Sequence, residues 1–260
     1  MMKGISMKIK ELASELKLSY LKMNYEELID EANHTKMDYS EFLEIILEKE
    51  HTQRKSNAIR KRLRDAKFPV KKYLEDFDKT KYASKFKKKF SELETLKFVD
   101  NKENIILLGT PGSGKTHYSI ALGIKSCLER RTVLFTSVPN LVIELKEAMS
   151  QSQLTYYKRR FEKYDIVILD ELGYITFDKS GSELLFNLLS NRTDKGSIII
   201  TTNLVFEKWE EVFQDTVLTG ALVDRLTYKA HILDLTRDVS HRYEETVEWL
   251  KVLENGSEKL

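Results

Sequence analysis

Gly109-Thr110-Pro111-Gly112-Ser113-Gly114-Lys115-Thr116 is the most telling stretch of this 260-residue chain. It fits G-x-x-x-x-G-K-[ST], a loop that wraps a phosphate chain between a strand and a helix. Both flanks agree. Asn104-Ile105-Ile106-Leu107-Leu108 is a short apolar run that predicts a buried strand, and a helical pattern follows from His117. Glycines let the backbone turn so tightly that successive N–H groups converge on one anion. The helix N-terminus adds its own attraction for negative charge. Residues Gly109 through His117 are therefore expected to cradle phosphates, with Lys115 reaching the β and γ groups and Thr116 holding a magnesium ion.

From this loop onward the chain alternates strand and helix. Strands are expected at residues 104–108, 132–136, 165–170, 197–201 and 230–235. Helices are expected near 117–129, 139–148, 155–161, 180–194 and 217–226. Short apolar strands alternating with helices predict an α/β fold, a parallel five-stranded sheet covered on both faces. Ligands of such sheets bind beyond the carboxyl ends of the strands.

Ile166-Val167-Ile168-Leu169 leads into Asp170-Glu171, an acidic pair at such a carboxyl end. Asp170 is placed to hold the metal ion, and Glu171 to take a proton from an attacking water. Alone, the pair reads as no more than a strand followed by a surface turn; downstream of a phosphate loop it reads as hydrolytic machinery. A kinase would need an acceptor pocket and a lid, and neither is apparent. In one branch of these folds the next strand lies between the acidic strand and the loop strand. Asn203, at the tip of that strand, then orients the water or senses the γ phosphate; otherwise it is a turn residue. Arg225 reads either as a solvated helix arginine or as a finger reaching a neighbour's nucleotide.

Net charge is only +2, but residues 1–103 carry a net +5 and residues 104–260 a net −3. Residues 51–72 hold nine Lys and Arg against one acid, among them Arg60, Arg62 and Arg64. Residues 81–89 add five lysines, and Lys158-Arg159-Arg160 lies among Tyr156, Tyr157 and Phe161. A charge run is usually a solvated face. Three of them make phosphate contacts with double-stranded DNA the sharper expectation, without any motif for reading bases. Cys127 is the lone cysteine and is expected in the core, as are Phe42, Phe135 and Trp249. The histidines lack metal-ligand spacing. No apolar run reaches membrane-spanning length and no signal stretch opens the chain, which predicts a cytoplasmic protein.

Ahead of the phosphate loop, helices are expected at residues 7–18 and 25–32. A longer one begins at the Asp38/Glu41 capping box and runs to about Ala66, where Phe68-Pro69 ends it. Residues 1–68 thus read as a small helical domain for partner or DNA binding, 69–78 as a linker, and 79–260 as the nucleotide domain. Residues 79–98 are expected to be helical.

Together these residues resemble the AAA+ family, and within it the IstB and DnaC group; the likeness to IstB-like transposition helper ATPases runs from about Lys10 to Glu248. Tyr73-Leu74-Glu75-Asp76-Phe77-Asp78 resembles the family's linker signature. Leu169-Asp170-Glu171-Leu172-Gly173-Tyr174 resembles its extended acidic motif. Thr202-Asn203-Leu204 matches its sensor position, and Asp224-Arg225-Leu226 its arginine-finger segment. Ser240-His241-Arg242 stands where the family carries Ser-Tyr-Arg, and Ala221 stands where the helicase loader has a second arginine. The resemblance implies ATP and Mg2+ as cofactors, a homo-oligomer bridged by nucleotide, assembly on DNA, and a transposase as partner. It also implies that most of the C-terminal helical lid is missing. A DnaC-type loader of the replicative helicase is the alternative.

Overall fold

A computed structural model of the chain describes residues 2–236, which divide into two compact units between Lys61 and Arg62. In the first, α1 (Met2–Glu15) and α2 (Ser19–Thr35) pack together, and Lys17 turns the chain between them with φ +56°. The expected second helix is therefore longer than its apolar pattern. Next comes α3 (Tyr39–Asp65). The predicted cap is present: Asp38 Oδ1 accepts the N–H groups of Ser40 and Glu41 at 2.7 and 2.9 Å. Glu50 is buried. Its carboxylate accepts the N–H groups of Ser19 and Tyr20 at 3.0 and 2.8 Å, so a side chain from α3 satisfies the first turn of α2.

The second unit is built on five parallel strands. These are β1 (Asn104–Gly109), β2 (Val133–Ser137), β3 (Ile166–Leu172), β4 (Ser197–Thr202) and β5 (Ala230–Leu235), ordered β2-β3-β4-β1-β5. Every expected strand is present, shifted by at most two residues at an end. Side chains alternate across the sheet. Ile106, Leu108, Val167, Leu169, Ile198 and Ile200 face one core. That core is closed by α7 (Val138–Ser150), α9 (Lys179–Ser190), α10 (Trp209–Phe213) and α11 (Thr216–Thr227). Ile105, Leu107, Ile166, Ile168 and Ile199 face the other, closed by α4 (Ser84–Leu93) and α6 (Lys115–Leu128). Burial on both faces explains why the central strands read as apolar runs, whereas the edge strand β5 is partly exposed and carries His231 and Asp234. Cys127 and Phe135 lie in the second core as expected, and burial pushes the Cys127 thiol up to about 12. Phe42 is only half-buried.

The helix expected over residues 79–98 is broken into three pieces. A 3-10 turn, Lys79–Lys81, opens on Asp78, whose Oδ1 accepts Thr80 N–H at 2.9 Å. Then α4 runs to Leu93, and α5 (Lys97–Asp100) follows a reversal at Leu96, φ +59°. Leu96, Phe98 and Val99 are all buried, and a continuous helix would leave the apolar side of this last turn in solvent. Residues 69–78 carry no regular element, yet Leu74 and Phe77 join the second core.

Between β3 and β4, Arg192 is fully buried. Its guanidinium donates to the carbonyls of Phe161 and Tyr164 at 2.8 and 2.6 Å, and lies 5.5 Å from the Phe161 ring. Burial lowers its pKa to about 10, so it stays charged at neutral pH. It fixes the end of α8 (Leu154–Phe161), the helix that carries Lys158, Arg159 and Arg160. His241, Arg242, Trp249 and the expected truncation of the lid fall outside the described residues. Among those described, no helix is long and apolar enough to cross a membrane.

Candidate active site

The predicted loop spans the turn from the carboxyl end of β1 into α6. Gly112 and Gly114 take φ of +86° and +83°, the left-handed region that suits glycine. Lys115 is buried, with Nζ donating to the carbonyls of Gly109 and Thr110 at 2.7 and 2.9 Å. The loop's own carbonyls thus hold the ammonium at the mouth of the turn. Gly109 has a packing reason as well, since a Cβ there would lie 2.5 Å from Ser113 Oγ.

Three elements bring the acidic pair to this loop. Thr116 Oγ1, in the first turn of α6, donates to Asp170 Oδ1 at 2.9 Å. The two residues expected to hold a metal are therefore neighbours, although distant in sequence. Thr201 on β4 is the residue that sequence reasoning missed. Its hydroxyl donates to Asp170 Oδ1 and accepts the N–H of Glu171 at 3.0 Å. Pairing of β3 with β4 shifts register between Leu169 and Leu172, and Glu171 takes φ +64°. This bulge turns the glutamate out of the strand while Asp170 stays buried. Glu171 and Lys115 consequently line the same cavity of about 280 Å³, together with Gly112, Thr116, Tyr174 and Thr201. A second cavity of about 340 Å³ shares Lys72, Gly114 and His117 with the first and extends over Phe77, Tyr82 and Lys71.

Against this geometry, the family model described as IstB-like ATP binding protein matches residues 11–248. The chain belongs to that family. An insertion sequence IS21 ATP-binding protein of Pseudomonas aeruginosa is 37% identical over 90% of this chain and 88% of its own length. An IS5376 counterpart from Geobacillus stearothermophilus is 33% identical over 92% and 94%. Among solved structures, the DnaI crystal structure superposes with a TM-score of 0.52 at 19% identity, over 65% of this chain and 90% of that one. AMPPCP-bound DnaA from Aquifex aeolicus gives 0.52 at 17% identity, over 69% of this chain and 54% of that one. At those identities the likeness concerns the fold alone, a parallel sheet with a phosphate loop after its first strand.

The remaining candidates of this IstB-like chain lie further from the loop. Asn203 follows β4; its Oδ1 is buried and accepts no hydrogen bond from the protein, and it does not line the first cavity. Arg225, on α11, donates to Ser190 Oγ at 2.9 Å and lies 4.7 Å from the Phe186 ring. It borders a shallow depression with Asn104 and Ile198, at the amino ends of β1 and β4. The phosphate loop leaves the opposite end of β1, roughly 15 Å away along the strand. Of the basic candidates, Arg60, Arg64, Arg159 and Arg160 are exposed, while Arg62 and Lys158 are half-buried. Arg64 is engaged by Asp65 at 3.3 Å.

Proposed function

We propose that this chain is an ATPase that assembles on double-stranded DNA and helps a transposase engage its target. One observation carries the enzymatic part. Lys115, Thr116 and Glu171 line one cavity, and Asp170 is hydrogen-bonded to Thr116 at its edge. The loop N–H groups and Lys115 bind the β and γ phosphates. Glu171 accepts the proton of a water attacking the γ phosphorus, and ADP leaves with the bridging oxygen. Asn203, whose unpaired acceptor oxygen is buried beside this cavity, holds that water only once its side chain turns into the cavity. Thr116 and Asp170 supply hard oxygen donors that suit Mg2+, which contributes charge neutralisation at the phosphates when bound. The second cavity, floored by aromatic rings, accommodates the base.

Arg225 stands too far from its own loop to touch its own nucleotide. Its position supports a homo-oligomer in which each arginine serves the neighbouring subunit. Relatives named for insertion sequences, at 37% and 33% identity, favour transposition over helicase loading. The loader reading has only fold-level likeness behind it.

Exposed cations support DNA binding through phosphates alone. The triple variant Arg60→Ala, Arg62→Ala, Arg64→Ala is expected to weaken binding to unrelated duplexes equally. It should also flatten the slope of log affinity against log salt, by about one unit for each phosphate that is no longer neutralised. ATP is expected to tighten wild-type binding, because assembly lets several basic runs act on one duplex. Binding isotherms at several salt concentrations, with and without ATP, test both points. An unchanged slope makes those arginines a solvated face, and indifference to ATP defeats assembly on DNA.

A further inference from the structure

Two glycines give the phosphate loop its shape and also leave it loose. Peptides beside Gly112 and Gly114 reorient at little steric cost, because glycine tolerates both signs of φ. Hydrogen bonds within the loop hold part of this shape, and a contact from outside it adds to the choice of orientation. The segment before β1 supplies that contact. Tyr82 is 3% exposed, and its hydroxyl donates to the Ser113 carbonyl at 2.9 Å. In a planar trans peptide the C=O and the next N–H point in opposite directions. Holding the Ser113 oxygen toward Tyr82 therefore turns the Gly114 N–H toward the phosphate side.

Several neighbours brace this hydrogen bond. Phe77 stacks on Tyr82 at 5.3 Å, and Phe90 meets the ring edge-on at 5.1 Å. Asp78 caps the 3-10 turn that delivers Tyr82. A Cβ at Gly114 would lie 2.4 Å from the Tyr82 hydroxyl and 3.0 Å from Phe77, so the loop glycine also makes room for this strap. Beyond the loop, the Tyr73 carbonyl lies 3.3 Å from His117 Nε2. The strap thus touches the carboxyl-terminal half of the loop and the first turn of α6.

We propose that Tyr82 is a positioning residue for nucleotide binding, presetting the Ser113–Gly114 peptide for a phosphate. The inference rests on the reading of the cavity as an ATP site. Its test uses the full chain and two variants that each delete one buried hydroxyl. Tyr82→Phe keeps the ring and loses the bond to the loop. Tyr118→Phe loses an equivalent bond, to the Phe90 carbonyl at 2.9 Å, within the same aromatic cluster but away from the loop. Thermal unfolding and ATP titration are measured on both. The expected result is similar small losses of stability. ATP affinity should fall about two- to twelve-fold in Tyr82→Phe, the worth of one hydrogen bond, and stay unchanged in Tyr118→Phe. Wild-type affinity in Tyr82→Phe, or equal losses in both variants, overturns the role of Tyr82 and leaves the ATP site standing. A wild-type chain that binds no ATP overturns both.

Discussion

Replacing Arg225 with alanine is expected to lower ATP turnover roughly a thousandfold while ATP still binds. The magnitude follows from what a guanidinium does beside a γ phosphate, where it neutralises charge that builds in the transition state. The direction follows from geometry. Arg225 borders the amino end of β1, whereas the loop leaves its carboxyl end, so the loss is expected at a neighbour's nucleotide. Mixing Arg225→Ala with Lys115→Ala subunits therefore restores part of the activity. Some interfaces then pair an intact loop on one subunit with an intact arginine on the next. Phosphate release is followed across mixing ratios, with mixed assembly verified by differential labelling. Absence of recovery at every ratio removes the trans role and returns Arg225 to a helix surface residue held by Ser190 and Phe186.

Glu171→Gln separates binding from chemistry. The amide is isosteric and cannot take a proton, so turnover is expected to fall about a hundredfold or more. ATP affinity should hold, because Lys115, Thr116 and the loop N–H groups are untouched. Glu171 sits on a bulge held through its own backbone N–H, so the substitution leaves the main chain at this position unchanged. Equilibrium ATP binding and single-turnover hydrolysis are measured separately. A variant that hydrolyses at the wild-type rate shows that another group activates the water.

The centre of the sheet was legible because parallel strands buried on both faces are plain apolar runs, as in residues 166–169 and 198–200. Lys115, Thr116, Asp170 and Glu171 could be singled out because the chemistry proposed for them needs fixed residue types at fixed places, and the structure brings them together. What escaped depends on partners distant in sequence. Thr201 looks like any β-branched strand residue until β4 sets its hydroxyl against Asp170. Tyr82 lies 31 residues before Ser113, in a stretch that periodicity reads as helix. That stretch is interrupted because burying Leu96 and Phe98 outweighs continued helical hydrogen bonding. The positive φ of Glu171 arises from strand pairing and has no signature in its neighbours.

Catalysis by the loop and acidic pair is tested most directly by phosphate release from Mg-ATP, comparing the wild-type chain with Lys115→Ala. Lys115 is the buried cation of the loop, and its removal takes away the attraction for the β and γ phosphates. The account predicts saturable release by wild type, dependent on magnesium, and none above background in Lys115→Ala at the same ATP concentration. Equal release from both proteins, or none from wild type with or without duplex DNA, would contradict it.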